Sequence, residues 1–267
     1  MTPKATARNP LAVVTGASSG IGRELAREFA AHGHDLVVIA RRRRRLEELR
    51  RELRRDHAAR VRVVEADLYD PATPGRLARL LARAPVGVLV NNAGTLEGGG
   101  FVGMPRERVL SMIQLNVTAL VALTHALLPR MLARREGRIV NVASIAAFAP
   151  VPWLGVYAAT KAFVLSFGEA LGEELRDDGI SVTTVCPGLT DSEMADAALE
   201  RAPGLRPWRA QLFAPAAEVA RAAYAGCMAG EPIVVPGAAN RAYGSLVSLS
   251  PRPLRRLLSR QVARALR

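Results

Sequence analysis

Short runs of β-branched and other apolar residues recur along the chain, and longer stretches with helical spacing lie between them. Residues 11–15, 35–40, 61–65, 86–91, 138–142, 181–185 and 232–235 predict seven strands. The intervening residues 21–32, the charged stretch through Arg55, 75–84, 107–135 and 157–177 predict helices. Strands that are apolar throughout, rather than on alternate positions, are buried on both faces. Their alternation with helices predicts a parallel sheet covered on both sides. Right-handed crossovers then give an open, doubly wound α/β sheet in a single domain. Such sheets bind ligands beyond the carboxyl ends of their strands, so the chemistry is expected there.

Composition narrows this further. A chain of 267 residues with 49% hydrophobic content can bury a sizeable core and is not a disordered chain. Two cysteines, Cys186 and Cys227, exclude a disulfide scaffold, and the four histidines show no ligand spacing, so no metal is expected. The net charge of +13 is localised: residues 41–62 hold 11 arginines against 4 acids, and residues 252–267 hold 6 arginines and no acid. The rest of the chain is balanced, which speaks against specific nucleic-acid binding as the cause of the high charge. Residues 1–10 are polar and the apolar run after them is too brief for a signal-peptide core. The stretch 145–159, broken by Pro150 and Pro152, is too short to span a membrane. A soluble cytoplasmic protein is the expectation.

After the first strand comes Thr15-Gly16-Ala17-Ser18-Ser19-Gly20-Ile21-Gly22. Glycines at a strand–helix junction permit a tight turn and close backbone approach, and the helix start offers unpaired N–H groups to a pyrophosphate. The Thr-Gly-x-x-x-Gly-x-Gly spacing resembles the short-chain dehydrogenase/reductase family. The family's other markers follow in order: Asp67-Leu68 after strand three, Asn91-Asn92-Ala93-Gly94 after strand four, Asn116, Ser144, Tyr157-x-x-x-Lys161 and Pro187-Gly188. The resemblance covers residues 9–236 and implies a three-layer α/β/α Rossmann fold. It also implies cofactor contacts from Gly16, Ser18, Ser19, Gly20, Ile21, Gly22, Asp67, Leu68, Asn92, Ala93, Gly94, Pro187, Gly188 and Thr190, with Ser192 second to Thr190.

A carboxylate at the tip of strand two would suit a ribose 2′-OH, whereas an arginine there suits a 2′-phosphate. The strand ends on Ala40-Arg41, so NADP(H) is expected in preference to NAD(H), with Arg41 foremost, then Arg42, as phosphate ligands; Arg23 lies nearby. Tyr157 and Lys161, four apart, share one helix face. A phenol ordinarily titrates near pH 10, and a neighbouring ammonium would lower it toward use as a general base or acid. Ser144 would stabilise the substrate oxygen. The resemblance implies that Asn116 holds a water linking Lys161 to solvent and that Lys161 binds the nicotinamide ribose. The expected activity is NADP(H)-dependent interconversion of a carbonyl and a secondary alcohol, with a non-enzymatic dinucleotide-binding regulator or scaffold as the alternative.

Residues 189–214 correspond to a lid over the substrate in such proteins. Its Met194, Leu199, Pro203, Leu205, Trp208 and Phe213, with Phe148, Val151, Trp153 and Leu154, point to an apolar carbonyl substrate. Residues 251–267 form a second unit after the 1–250 catalytic domain: leucines at helical spacing with arginines opposite, suited to a membrane surface, a sister subunit or the chain's own body. The resemblance implies a homodimer or homotetramer through the helices carrying Asn116 and Tyr157.

Overall fold

In a computed structural model that describes residues 9–201, 207 and 209–251, the apolar runs become one parallel sheet. Its strands are β1 (Asn9–Thr15), β2 (His34–Ala40), β3 (Val61–Glu65), β4 (Val86–Asn91), β5 (Gly137–Val142), β6 (Ile180–Val185) and, past a two-stranded lid, β9 (Ile233–Val234). The order is β3-β2-β1-β4-β5-β6-β9, so the direction of winding reverses between β1 and β4. That reversal opens a crevice at the carboxyl ends of the strands, where the glycine turn lies.

Helices cover both faces. On one, α1 (Gly20–Ala31), α2 (Arg43–His57) and α9 (Ala216–Ala229) bury Leu25, Phe29, Leu46, Leu49, Leu53 and Tyr224 against Val14, Val38 and Val90. On the other, α3 (Thr73–Leu80), α4 (Arg106–Ile113), α5 (Ala119–Arg134) and α6 (Gly155–Glu174) accompany a core of Leu77, Leu123, Leu127, Met131 and Leu171 against Val13, Leu89 and Ile139. Each strand residue alternates between these two cores, which is why the strand runs are apolar without interruption.

The predicted helix over 107–135 is two helices joined without a break by a π-turn, Gln114–Thr118. A π-turn carries one residue more than an α-turn and marks functional positions. This one holds the buried Asn116. The combined helix, Arg106–Arg134, is long and apolar enough to cross a membrane by length and composition alone. Its Met112, Leu115, Leu120, Leu123, Leu127 and Met131 are buried within the protein.

The lid contains β7 (Thr190–Asp191), α7 (Glu193–Arg201), α8 (Arg209–Leu212) and β8 (Ala214–Pro215). Its ends pair in parallel, Thr190 with Ala214 and Asp191 with Pro215. Arg209 bonds Asp191 and Asp196 across it. The last described helix is α10 (Ala238–Leu249). Pro203, Leu205, Trp208 and the expected amphipathic tail over 252–267 lie outside the described residues.

Candidate active site

The glycine turn is built against the end of β4. Gly16 and Gly20 have φ of +67° and +53°, in the left-handed region that favours glycine. A Cβ on Gly16 would lie 2.7 Å from Asn92 Nδ2, and one on Gly22 would lie 2.2 Å from the same atom. Asn92 Nδ2 donates to the Thr15 carbonyl at 2.9 Å. Thr15 Oγ1 donates to the Val90 carbonyl and accepts from the backbone N–H of Asn92 and Ala93. Asn92 is thus a clamp on the turn, and Gly22 is a packing glycine that does not line the cavity. Helix α1 starts at Gly20 without a capping side chain or an acid in its first turn, which leaves its N–H groups and positive end open to an anion.

A cavity of about 620 Å³ runs from this turn along the carboxyl ends of the strands. It collects the predicted Gly16, Ser18, Ser19, Gly20, Ile21, Arg41, Arg42, Asp67, Leu68, Asn92, Ala93, Gly94, Ser144, Tyr157, Lys161, Pro187, Gly188, Thr190 and Ser192. Its lining suits an elongated ligand that is anionic at one end. The strained glycines, the open helix start and the strand-tip arginines lie together there, so a dinucleotide fits the residues present.

The two leading arginines divide their work differently from the sequence expectation. Arg41 places its guanidinium 4.8 Å from the centre of the Tyr69 ring. Arg42 instead reaches the glycine turn, donating to Ser18 Oγ at 3.0 Å and Ser19 Oγ at 2.6 Å. Arg23 is turned away and pairs with Glu52 at 3.0 Å. A second cation beside Arg42, Arg45, was not singled out by the strand-tip rule.

At the other end of the cavity, Ser144 follows two residues after the end of β5, and α6 presents Tyr157 and Lys161. Ser144 Oγ accepts from the Ala146 N–H at 3.1 Å, and its hydroxyl lies close enough to Tyr157 to act on the titration of the phenol. Lys161 donates to the Val142 carbonyl at 2.8 Å, with Nζ 5.9 Å from the centre of the Tyr157 ring. Burial lowers the Lys161 ammonium from its ordinary 10.5 to about 8. Burial also raises the Tyr157 phenol, and the neighbouring Ser144 hydroxyl opposes this only in part. The net direction is upward, against the expectation of a lowered phenol, so Tyr157 is in its neutral form near pH 7. Cys186 lies behind the pair, its thiol pushed up to about 12 by burial, as suits a core residue rather than a nucleophile.

Asn116 does not line the cavity. Its Oδ1 accepts from the Thr95 N–H at 2.9 Å, and its Nδ2 donates to the Thr95 carbonyl at 2.9 Å and Thr160 Oγ1 at 3.1 Å. These bonds commit both Nδ2 hydrogens and one acceptor position of Oδ1 to the protein. It still sits close to Lys161: a Cβ on Gly94 would lie 3.3 Å from Asn116 Oδ1 and 3.5 Å from Lys161 Nζ. Asn116 thus fixes the loop that separates it from the lysine.

Val151, Leu154, Met194 and Phe213 line the cavity, together with Leu96, Ala195 and Tyr243, which sequence reasoning missed. Phe148 instead packs near Gly244, and Leu199 packs on Ala195 and Phe213 within the lid. Tyr243 comes from α10, beyond the last predicted strand. Among the described residues, no group of three or more His, Cys, Asp or Glu side chains is placed to hold a metal ion.

Comparison with known proteins bears on this geometry. The family described as short chain dehydrogenase matches residues 10–202. A granaticin polyketide synthase putative ketoacyl reductase 1 from Streptomyces violaceoruber is 37% identical over 207 residues, covering 75% of each chain. The very-long-chain 3-oxoacyl-CoA reductase of Laccaria bicolor is 38% identical over 175 residues, 64% of this chain. The match spans about half of that relative's length, 52%. Among solved structures, a short-chain dehydrogenase from Sphingobium yanoikuyae in complex with NADPH superposes with a TM-score of 0.79 at 36% identity, covering 91% of this chain and 96% of the other.

Proposed function

Since the chain belongs to the short-chain dehydrogenase/reductase family, we propose that it is an NADP(H)-dependent oxidoreductase that reduces a ketone to a secondary alcohol. The observation that carries the reading is that Ser144, Tyr157 and Lys161 line the same cavity as the glycine turn, with Tyr157 and Lys161 buried.

Bound nicotinamide would supply the hydride in reduction and accept it in oxidation. The remaining work falls to the chain. Gly16, Gly20 and the start of α1 hold the pyrophosphate through backbone N–H groups. Arg42, with Arg41 at the rim, takes the 2′-phosphate. The substrate carbonyl oxygen lies between the Ser144 and Tyr157 hydroxyls. Ser144 donates a hydrogen bond to it as charge develops, and Tyr157, held neutral by burial, transfers its proton to it. Lys161, charged below about pH 8, then offsets the phenolate left on Tyr157 and binds the ribose hydroxyls. Asn116 keeps the 94–95 loop in place beside the ammonium.

The apolar substrate end supports a medium-sized apolar ketone. Relatives named 3-oxoacyl-CoA reductase and ketoacyl reductase make 3-oxoacyl thioesters the first compounds to try. The test is NADPH oxidation with a panel of 3-oxoacyl thioesters, ketones and quinones, alongside a direct cofactor-binding measurement. Binding of NADPH without turnover of any member of the panel would favour the non-enzymatic alternative.

A further inference from the structure

Arg42, assigned above to the cofactor phosphate, already holds an anion together with Arg45, and that anion belongs to the lid. Glu193 is the first residue of α7. Its Oε2 accepts from Arg42 Nη1 at 2.6 Å, and its Oε1 accepts from Arg45 Nη1. Arg42 spends its remaining donors on Ser18 and Ser19, so one guanidinium joins the glycine turn to the lid. The preceding residue, Ser192, is also close to the turn: a Cβ on Gly20 would lie 3.2 Å from Ser192 Cβ. The two arginines hold the Glu193 carboxyl below the usual carboxylate range, so it is an anion at neutral pH.

Two guanidinium groups converging on one carboxylate make the same kind of site that a phosphate monoester takes. We propose that Glu193 is a specificity-determining residue that occupies this site until the 2′-phosphate of the cofactor exchanges with it. The proposal rests on the NADP(H) reading. A dianionic phosphate outcompetes a single carboxylate for two arginines, whereas a cofactor with a bare 2′-hydroxyl has nothing to put there. Glu193 therefore stays on Arg42 and Arg45 when NAD(H) binds and leaves them when NADP(H) binds. The start of α7, which forms one wall of the substrate end through Met194 and Ala195, is released only in the second case. The residue opposes phosphate binding, yet it makes the lid sensitive to which dinucleotide has bound.

The test uses adenosine 2′,5′-bisphosphate and AMP, which carry the phosphate and its absence without the nicotinamide, and reads their affinity by calorimetry in the full chain and in Glu193→Gln. Removing the competing charge is expected to tighten the bisphosphate about three- to tenfold, with AMP unchanged and the gain shrinking at high salt. A preference for the bisphosphate that is larger in Glu193→Gln than in the parent is the supporting result. If the parent prefers the bisphosphate and the variant's preference is the same or smaller, the exchange is refuted and the NADP(H) reading survives. If neither protein distinguishes the two nucleotides, the NADP(H) reading itself falls, and the exchange with it.

Discussion

Replacing Lys161 with methionine separates what the buried ammonium does for chemistry from what it costs the fold. Lys161 is only 6% exposed, and burial brings it from 10.5 to about 8. At about 1.4 kcal/mol per unit, that difference costs the folded state about 3 kcal/mol at neutral pH. The methionine variant escapes this cost and keeps a linear side chain of similar volume. It loses the bond to the Val142 carbonyl, a loss of about 1–2 kcal/mol. The net expectation at pH 7 is a gain of about 1–2 kcal/mol, or about 2–6 °C in Tm for a chain of this length. The sign with pH follows from the same shift. Between pH 8 and 10.5 the unfolded chain still holds the lysine proton while the folded chain has released it, so wild-type stability rises with pH across that window. The advantage of the variant should shrink there, vanish at roughly pH 9 to 10, and reverse by about 1–2 kcal/mol toward pH 10.5. Thermal and denaturant unfolding of both proteins from pH 7 to 10 measures it, and kcat should fall by at least about a hundredfold in the variant. A variant less stable than wild type at pH 7, by a margin that does not change with pH, would refute the desolvation argument.

Tyr157→Phe removes the proton donor and should lower kcat about 10²- to 10⁴-fold while NADPH affinity, measured by fluorescence titration, is kept. Arg42→Ala should weaken NADPH far more than NADH, and Arg41→Ala less so, because Arg42 and not Arg41 is bonded to the glycine turn; equal effects on both cofactors would move the phosphate elsewhere. His34 is buried with Nδ1 against the Pro10 carbonyl, and burial lowers its pKa, so the folded state resists the proton that the unfolded chain takes up. Stability should accordingly fall as pH drops below about 6.5, and His34→Leu should lose that part of the pH dependence in unfolding curves.

All seven predicted main strands fall within two residues of their observed ends, because each is a mainly apolar run between polar turns. The seventh, around Ile233, shrinks to two residues at the sheet edge. The glycine turn and the Ser144, Tyr157 and Lys161 positions were legible because their spacing is local. What escaped were relations between distant segments. Arg42 and Glu193 are 151 positions apart, and nothing near either residue announces the other. Tyr243 reaches the cavity from α10, which lies beyond the last predicted strand and more than fifty residues from the other cavity-lining segments apart from the lid. The titration behaviour of Tyr157 was misjudged for a related reason: spacing puts an ammonium nearby, but only the packed structure says how much water the phenol has lost.

The π-turn at Gln114–Thr118 can be regarded as one surplus residue absorbed into an otherwise regular helix. Each residue turns a helix by about 100°, so the helical segments before and after the turn would be out of phase if the surplus were not confined to that point. The protein therefore keeps Met112 inward on one side and Leu120, Leu123 and Leu127 inward on the other, with Asn116 aimed at Thr95 and Thr160 between them. Deleting a single residue within 114–118 would restore an ordinary helix that folds and packs on only one of its halves. An active-site asparagine thus depends on a count of residues, and a chain one shorter would have to choose between its core and its site.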